Sequence, residues 1–521
     1  MKTTKEDFIK EIEAGYTFKG DSIILGASMF GEEVIPAHVK IPLKTFNRHG
    51  LISGATGTGK TKSLQILAEQ LSKEGVPVLL MDMKGDLSGL AQPGEEKEFI
   101  TKRHAKIGVK YEAQESPVEL LSLSNEKGVK LRATVTEFGP VLFSKILELN
   151  DVQSSIITVL FKYSDDQKLP LIDLEDLRKM LQYAIGEGKD KIEEEYGAIS
   201  PASVNTILRK ILELEQQGAD TFFGEPSFEV NDLLQNRYGR GVISILRLTD
   251  IQDKPKLFST FMLSLLAEVY NTFPEQGDKE KPELVIFIDE AHLIFDNASK
   301  ALLDQLEAII KLIRSKGVGI FFCTQLPNDV PEEILSQLGL KIQHALRAFT
   351  AKDRKSIKLV SENFPITNYY NTEQVLTSLG IGEALVTALN EKGIPTPLVA
   401  TYMRAPMSRM DILSRDEIDE LVNQSKLIEK YNQKIDRESA EEILKRKIEE
   451  AQKDENQKIL QEEKAKAEIT LKRRKEEPTF AEELSKNTMV RQLGRTVMRE
   501  VTRGILGALG IKSSSKRKSI F

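Results

Sequence analysis

The sequence predicts an α/β protein: a mostly parallel sheet with helices on both faces, plus a helical insertion and a C-terminal helical extension. Three observations predict it. VPVLLMD, LVIFID and VGIFFC are short continuous apolar runs, the pattern of strands buried on both faces. They alternate with helix-length amphipathic stretches such as FSTFMLSLLAEVYNTF and ALLDQLEAIIKLIRSKG, and such alternation favours a parallel sheet covered by helices. Finally, GATGTGKT stands between a strand and a helix, as a phosphate-binding loop requires.

Taken in order, residues 1–48 hold a short helix and strand-like pieces, SIILG and VIPAHVKIPL, too few for an independent barrel. Residues 49–97 and 240–410 carry the alternating core. It opens with HGLISG, a helix marked by Leu64, Leu67, Ala68 and Leu71, and VPVLLMD. Residues 98–239 read as a helical insertion with few strand signals. EALVTAL and TPLVATYM flank NEKGIP and predict an antiparallel hairpin at the sheet margin.

Residues 411–487 form a charged helical extension, opened by a Ser414–Glu417 capping box. The run 424–477 reads as a solvated helix, with a coiled coil as the alternative. Residues 488–521 form a basic amphipathic tail, with Arg491, Arg495, Arg499 and Arg503 beside Leu493, Val497, Val501, Ile505 and Leu509. Such a tail packs on a neighbour, or meets an anionic membrane or DNA phosphates.

Composition narrows the function. The chain has 521 residues, 29% of them charged and 40% hydrophobic, with a formal charge of -6. No apolar run approaches the roughly 18 residues of a membrane span, and MKTTKEDFIKEIEAG is polar where a signal peptide would be apolar. A cytoplasmic protein without an integral membrane segment is expected. One cysteine, Cys323, excludes an internal disulfide framework and a cysteine zinc site, and five histidines show no metal-ligand spacing. The charge argues against a general coat of nucleic-acid-binding lysines but leaves a basic pore open.

GATGTGKT matches G-x-x-x-x-G-K-[ST]. Gly54, Gly57 and Gly59 let the backbone curl so that N–H groups face phosphate oxygens, and the helix N-terminus adds its positive end. The binding set runs through Gly54, Ala55, Thr56, Gly57, Thr58, Gly59, Lys60, Thr61 and Lys62, with Lys60 on the β and γ phosphates of ATP and Thr61 on Mg²⁺. LVIFIDEAH delivers Asp289 to the carboxyl edge of the sheet, to accept from a metal-bound water, and Glu290 as general base. The alternative is that these two acids only offset a helix dipole.

VGIFFC ends in Thr324 and Gln325. In this fold class the strand beside Asp289 ends near the γ-phosphate, so Gln325 is expected to contact phosphate and lytic water; the alternative is an amide capping the turn LPNDVP. Arg314 lies at the far end of that strand and suits a neighbouring subunit's phosphates, or else, with Lys311 and Lys316, simply closes a helix. Arg347 is a second candidate phosphate contact. MDMKGDLSG, at the end of another strand, either positions metal or substrate through Asp82, Lys84 and Asp86 or is a plain connection.

GATGTGKT, VLLMDMKGDLSGL, VIFIDEAHLIF and RSKGVGIFFCTQLPNDVP together resemble the HerA/FtsK superfamily of P-loop motors, and especially the HerA-like bacterial ATPases of the YjgR type. QLGRTVMREVTRGILGALG and FFGEPSFEVNDLL are similar to the same group. The resemblance implies a RecA/ASCE-like P-loop NTPase core, a hexameric ring, and a helicase- or translocase-like ATPase acting on DNA. It also implies Lys60 and Thr61 as phosphate and Mg²⁺ residues, Asp289 and Glu290 as the acidic pair, Gln325 as sensor and Arg314 as the finger acting in trans. The chain departs from HerA proper in lacking a full N-terminal barrel, and the insertion is expected to take over recognition of a protein partner. The competing reading is a nucleotide-switched assembly or protein-binding ATPase that does not move along DNA.

Overall fold

The structure, a computed structural model, describes residues 4–446 apart from 278, 296–299, 434 and 436–438, together with residue 449. Met1–Lys445 form one compact unit. The tail from 488 and most of the charged run 424–477 lie outside the described residues.

The strands are β1 (Ser22–Phe30), β2 (Glu33–Pro42), β3 (Gly50–Ser53), β4 (Val78–Asp82), β5 (Val118–Ser122), β6 (Val129–Lys130), β7 (Asn236–Arg237), β8 (Arg240–Gly241), β9 (Ile243–Arg247), β10 (Leu284–Ile288), β11 (Val318–Thr324), β12 (Leu340–His344), β13 (Glu383–Thr387) and β14 (Val399–Met403). β7 and β8 pair only with each other; the rest form one sheet ordered β2-β1-β14-β13-β12-β3-β11-β10-β4-β9-β5-β6. From β12 to β6 every neighbouring pair is parallel. β13, β14, β1 and β2 extend it antiparallel.

Alternation along the central strands divides the core. Leu79, Met81, Ile286, Ile288, Ile320 and Phe322 join one apolar cluster with the helices Pro255–Thr272 and Lys300–Ile313. Val78, Leu80, Val285, Phe287, Phe321 and Cys323 join another with Leu64, Leu67, Ala68 and Leu71 of the helix Lys60–Lys73. Both faces are buried, which is why these strands read as unbroken apolar runs.

Two elements differ from expectation. The N-terminal pieces SIILG and VIPAHVKIPL become β1 and β2 and join the main sheet outside the β13–β14 hairpin, so that hairpin is not the outermost pair. The stretch 98–239 does carry helices, at Val135–Ile146, Asp151–Asp166, Leu174–Ile185, Lys189–Tyr196 and Pro201–Gln216. It also supplies β5 and β6, which lengthen the parallel sheet beyond β9. β5 is easily missed because Glu119 interrupts its apolar run; the carboxylate is buried there and accepts from Arg237 Nη2 at 2.6 Å. The Ser414–Glu417 capping box opens the helix Arg415–Asn423 as its spacing predicts.

Candidate active site

The parallel strands bring Ser53, Asp82, the Asp289–Glu290 pair, Thr324 and His344 to one edge, the carboxyl ends of β3, β4, β10, β11 and β12. Ligands bind at this edge in open α/β sheets.

The phosphate loop leaves β3 and enters the helix Lys60–Lys73. Gly54, Gly57 and Gly59 all have positive φ, at 150°, 77° and 119°. At Gly54 an added Cβ would also lie 2.5 Å from the Cβ of His344, so conformation and space both demand glycine. The Gly54 N–H donates to the Gln325 carbonyl at 3.2 Å, and the Ala55 N–H to the Ala345 carbonyl at 2.9 Å. Those two donors are spent tying the loop to β11 and β12. The N–H groups of Thr56, Gly57, Gly59, Lys60 and Thr61 have no acceptor among the described residues, which makes them the donors left for an anion.

Lys60 Nζ donates to the carbonyls of Gly54 (2.6 Å) and Ala55 (3.2 Å), contacts that phosphate oxygens can replace. Burial lowers its pKa, with the Lys84 ammonium adding to the effect while Glu290 and Asp289 oppose it. Lys62, by contrast, turns away: its Nζ donates to the Met410 carbonyl at 2.6 Å and anchors the segment after β14.

Asp289 follows β10 directly and is 5% exposed. Burial pushes its pKa up to about 7; Lys84 pulls it down and Glu290 up. Glu290 has φ 47°, in the left-handed region, a strain of about 1–3 kcal/mol for a non-glycine residue. The turn is held by the Ala291 N–H donating to the Cys323 carbonyl at 2.9 Å. Glu290 is therefore not an ordinary first-turn residue offsetting a dipole. One of its oxygens, Oε1, is ion-paired with Lys84. The other, Oε2, lies 3.3 Å from His292 Nδ1 but receives no hydrogen bond, and Asp289 Oδ2 is likewise buried without a donor.

Lys84 arrives from the loop after β4. Asp82 accepts from the N–H groups of Gly85 (2.7 Å), Asp86 (3.2 Å) and Leu87 (3.1 Å), so the MDMKGD turn is stapled by its own carboxylate. Burial raises the Asp82 pKa to about 6 against those donors. Asp82 is thus the organiser of the turn, and Lys84 is the side chain it delivers. Burial works against the Lys84 charge, but Glu290 and Asp289 outweigh it and raise its pKa. The sequence places Lys84 in this loop but carries no sign of its pairing with Glu290.

Gln325 is exposed at the end of β11, between the phosphate loop and the acids, because β11 lies between β3 and β10. Its amide does not cap the following turn. Asp329 does that, accepting from Thr324 Oγ1 at 2.5 Å and the Leu326 N–H at 2.9 Å.

Arg314 is exposed in the turn before β11, at the opposite sheet edge. Seven strand residues separate it from Gln325, about 23 Å at strand rise. It cannot reach the site Gln325 borders. Arg347 is exposed beyond β12, and its Nη1 donates to the Thr377 carbonyl at 3.2 Å rather than to the phosphate loop.

The residues fit a magnesium–nucleotide complex. Two buried carboxylate oxygens without donors, a hydroxyl at Thr61, two lysines and a glycine loop with unspent N–H groups form one acid-and-cation cluster. Among the described residues no cluster of three or more histidine, cysteine and carboxylate side chains offers a separate metal site.

The profile of the family described as helicase HerA-like C-terminal matches residues 28–514. The DNA double-strand break repair helicase HerA of Saccharolobus solfataricus is 22% identical over 383 residues, 72% of this chain and 68% of that one. Its namesake in Sulfolobus acidocaldarius is 20% identical over 402 residues, 77% of this chain and 73% of that one. In fold, the chain is similar to the unbound monoclinic form of the bacterial conjugative coupling protein TrwBdeltaN70, with a TM-score of 0.50 and 14% identity over 78% of this chain and 94% of that one.

Proposed function

This chain belongs to the helicase HerA-like C-terminal family, and we propose that it is a Mg²⁺-dependent ATPase that works as a hexameric ring and moves DNA. The observation that carries the hydrolytic part is the split use of Glu290: Oε1 held by Lys84, Oε2 buried with no donor beside Asp289. An oxygen held in that way accepts a proton from water, which is the task of a general base.

Each residue has a share in the reaction. The free N–H groups of the loop and the Lys60 ammonium bind the triphosphate, and Thr61 with Asp289 holds the metal. Bound Mg²⁺ supplies charge neutralisation on the phosphate oxygens. Glu290 orients and deprotonates the attacking water, while Lys84 fixes the carboxylate. Gln325, tied to Gly54 through its carbonyl, reports the state of the loop to β11. Because Arg314 lies at the far edge, its guanidinium serves the cleft of the next subunit, where it offsets charge that develops on the transferred phosphoryl group.

Purified protein is expected to hydrolyse ATP with Mg²⁺, and Glu290→Gln to retain ATP while losing turnover by about 10²–10⁴-fold. Turnover at the wild-type rate in that variant removes Glu290 from the chemistry. For the motor, ATPase rate and sedimentation are followed with duplex and single-stranded DNA across a low-salt series. A response of both supports movement on DNA; no response of either favours the nucleotide-switched assembly protein.

A further inference from the structure

The geometry points to the helix Ala351–Glu362, just beyond β12, as a surface that grips the phosphate backbone of a nucleic acid. This rests on the DNA partner proposed above and names the element that makes the contact.

The helix reads AKDRKSIKLVSE, and Ile357 and Val360 anchor it to a small cluster with Leu346, Phe364 and Leu376. Lys352, Arg354, Lys355 and Lys358 all lie on the exposed side. None of the four is ion-paired with a described carboxylate, although many surface lysines elsewhere are, including Lys102, Lys162 and Lys311. Of the two acids on the helix, Asp353 is committed to the cap, accepting from the N–H groups of Phe349 (2.9 Å) and Thr350 (2.8 Å), and Glu362, exposed four residues after Lys358, is not ion-paired with it.

These cations do not serve the helix itself. Three of them sit in its N-terminal half, where the dipole disfavours positive charge, and its last turn carries no basic residue. Lys352 and Lys355, Lys355 and Lys358, and Arg354 and Lys358 are like-charge pairs three or four apart, which weaken a helix. In a chain of net charge -6, such a concentration implies an external polyanion. The helix is 12 residues long, about 18 Å, enough to lie beside several phosphates of a strand that advances about 3.4 Å per nucleotide along the duplex axis. Phe349, 87% exposed and pinned through its N–H to Asp353, adds a ring at the start of the same surface, as strand-binding proteins place beside their cations. A membrane is a poorer match, since within the helix Leu359 is the one large apolar side chain exposed, and with Phe349 it makes no continuous apolar stripe.

The helix is also wired to the phosphate loop. Ser53 Oγ donates to Gln343 Oε1 at 2.6 Å, the Ala55 N–H donates to the Ala345 carbonyl, and His344 Nε2 lies 2.9 Å from Ser63 Oγ. From Ala345 the chain runs directly to Thr350, the N-cap. A shift of the loop on phosphate binding therefore has a short covalent route, through residues 345–350, to the basic face.

The test replaces Lys352, Arg354, Lys355 and Lys358 together with alanine in the full-length chain. Binding of labelled duplex and single-stranded oligonucleotides is measured from about 50 to 200 mM salt, with ATPase rate in the absence of DNA and native mass as controls. The expected result is at least about a tenfold loss of affinity at low salt and a salt slope shallower by about 0.9 per lost contact, with basal ATPase and mass unchanged. A charge-matched variant with alanine at Lys97, Lys102, Lys106 and Lys110 should bind like wild type. Wild-type affinity and slope in the first variant overturn the inference while leaving the DNA reading intact. A change in native mass overturns it in favour of a contact between copies. If wild type itself binds neither oligonucleotide at any salt, the DNA reading fails and the inference fails with it.

Discussion

Lys84 Nζ is ion-paired with Glu290 Oε1, although the two residues follow separate strands, β4 and β10, that lie side by side in the sheet. Glu290 is nearly buried, Lys84 half exposed. Lys84→Ala would leave three carboxylates, Asp86, Asp289 and Glu290, around a site that must accept a polyanion. Loss of one charge-assisted contact predicts a fall in kcat/KM of about 10- to 100-fold, with partial recovery in Lys84→Arg. Steady-state kinetics of the two variants check it; equal defects in both would reduce Lys84 to a packing residue.

The Asp82 staple is predicted to control Lys84 at a distance. Asp82→Ala leaves the N–H groups of Gly85, Asp86 and Leu87 without their acceptor, a cost of about 1–3 kcal/mol for a buried orphan donor. Urea unfolding should show that loss, and ATPase should fall with it. Stability falling while kcat stays intact would separate the staple from the chemistry.

With Asp289 as the proposed metal ligand, magnesium use is predicted to depend on pH. Its folded pKa, about 7, lies above the ordinary carboxyl value of 3.8, so folding favours the protonated form. Stability from this group is fully present below about pH 4 and is lost as pH rises through 7. Asp289→Asn should therefore raise the Tm of the ligand-free protein by an amount that grows between pH 4 and 7 and then levels. On the proposed role of Asp289, metal has to displace that proton, so apparent Mg²⁺ affinity should weaken by up to about tenfold per pH unit below 7. Tm series and Mg²⁺ titrations at pH 6 and 8 test both halves.

Arg314→Ala and Lys60→Ala should each be inactive alone, the first by about 10³–10⁵-fold if the guanidinium acts in trans. Mixed within one assembly, they should regain activity. A cleft formed by the intact cradle of an Arg314→Ala subunit and the intact arginine of a Lys60→Ala subunit is complete. Subunit-mixing ATPase assays decide it: no recovery at any ratio, in assemblies shown to be mixed, argues that each chain hydrolyses alone.

Much of the fold is legible in the sequence because the relevant strands are buried on both faces. Val78–Asp82, Leu284–Ile288 and Val318–Thr324 are nearly continuous apolar runs, and the glycine loop announces itself by spacing. The edges are harder. Glu119 hides β5, and nothing local in SIILG or VIPAHVKIPL says that β1 will pair with β14. Gln325 and the acids follow from their strands, but the Lys84–Glu290 pair needs the order β10-β4, which no local pattern specifies. The cations of Ala351–Glu362 look ordinary in a charged chain until exposure and missing partners set them apart.

The pairing of β1 with β14, Gly26 against Met403, bears on how the chain is made. The first hairpin leaves the ribosome early, yet the strand that covers its inner edge is translated hundreds of residues later. Until then that edge is an open template for other chains. Biogenesis should accordingly include a late, slow closure set by long-range contact, and truncations ending before residue 399 should precipitate rather than fold.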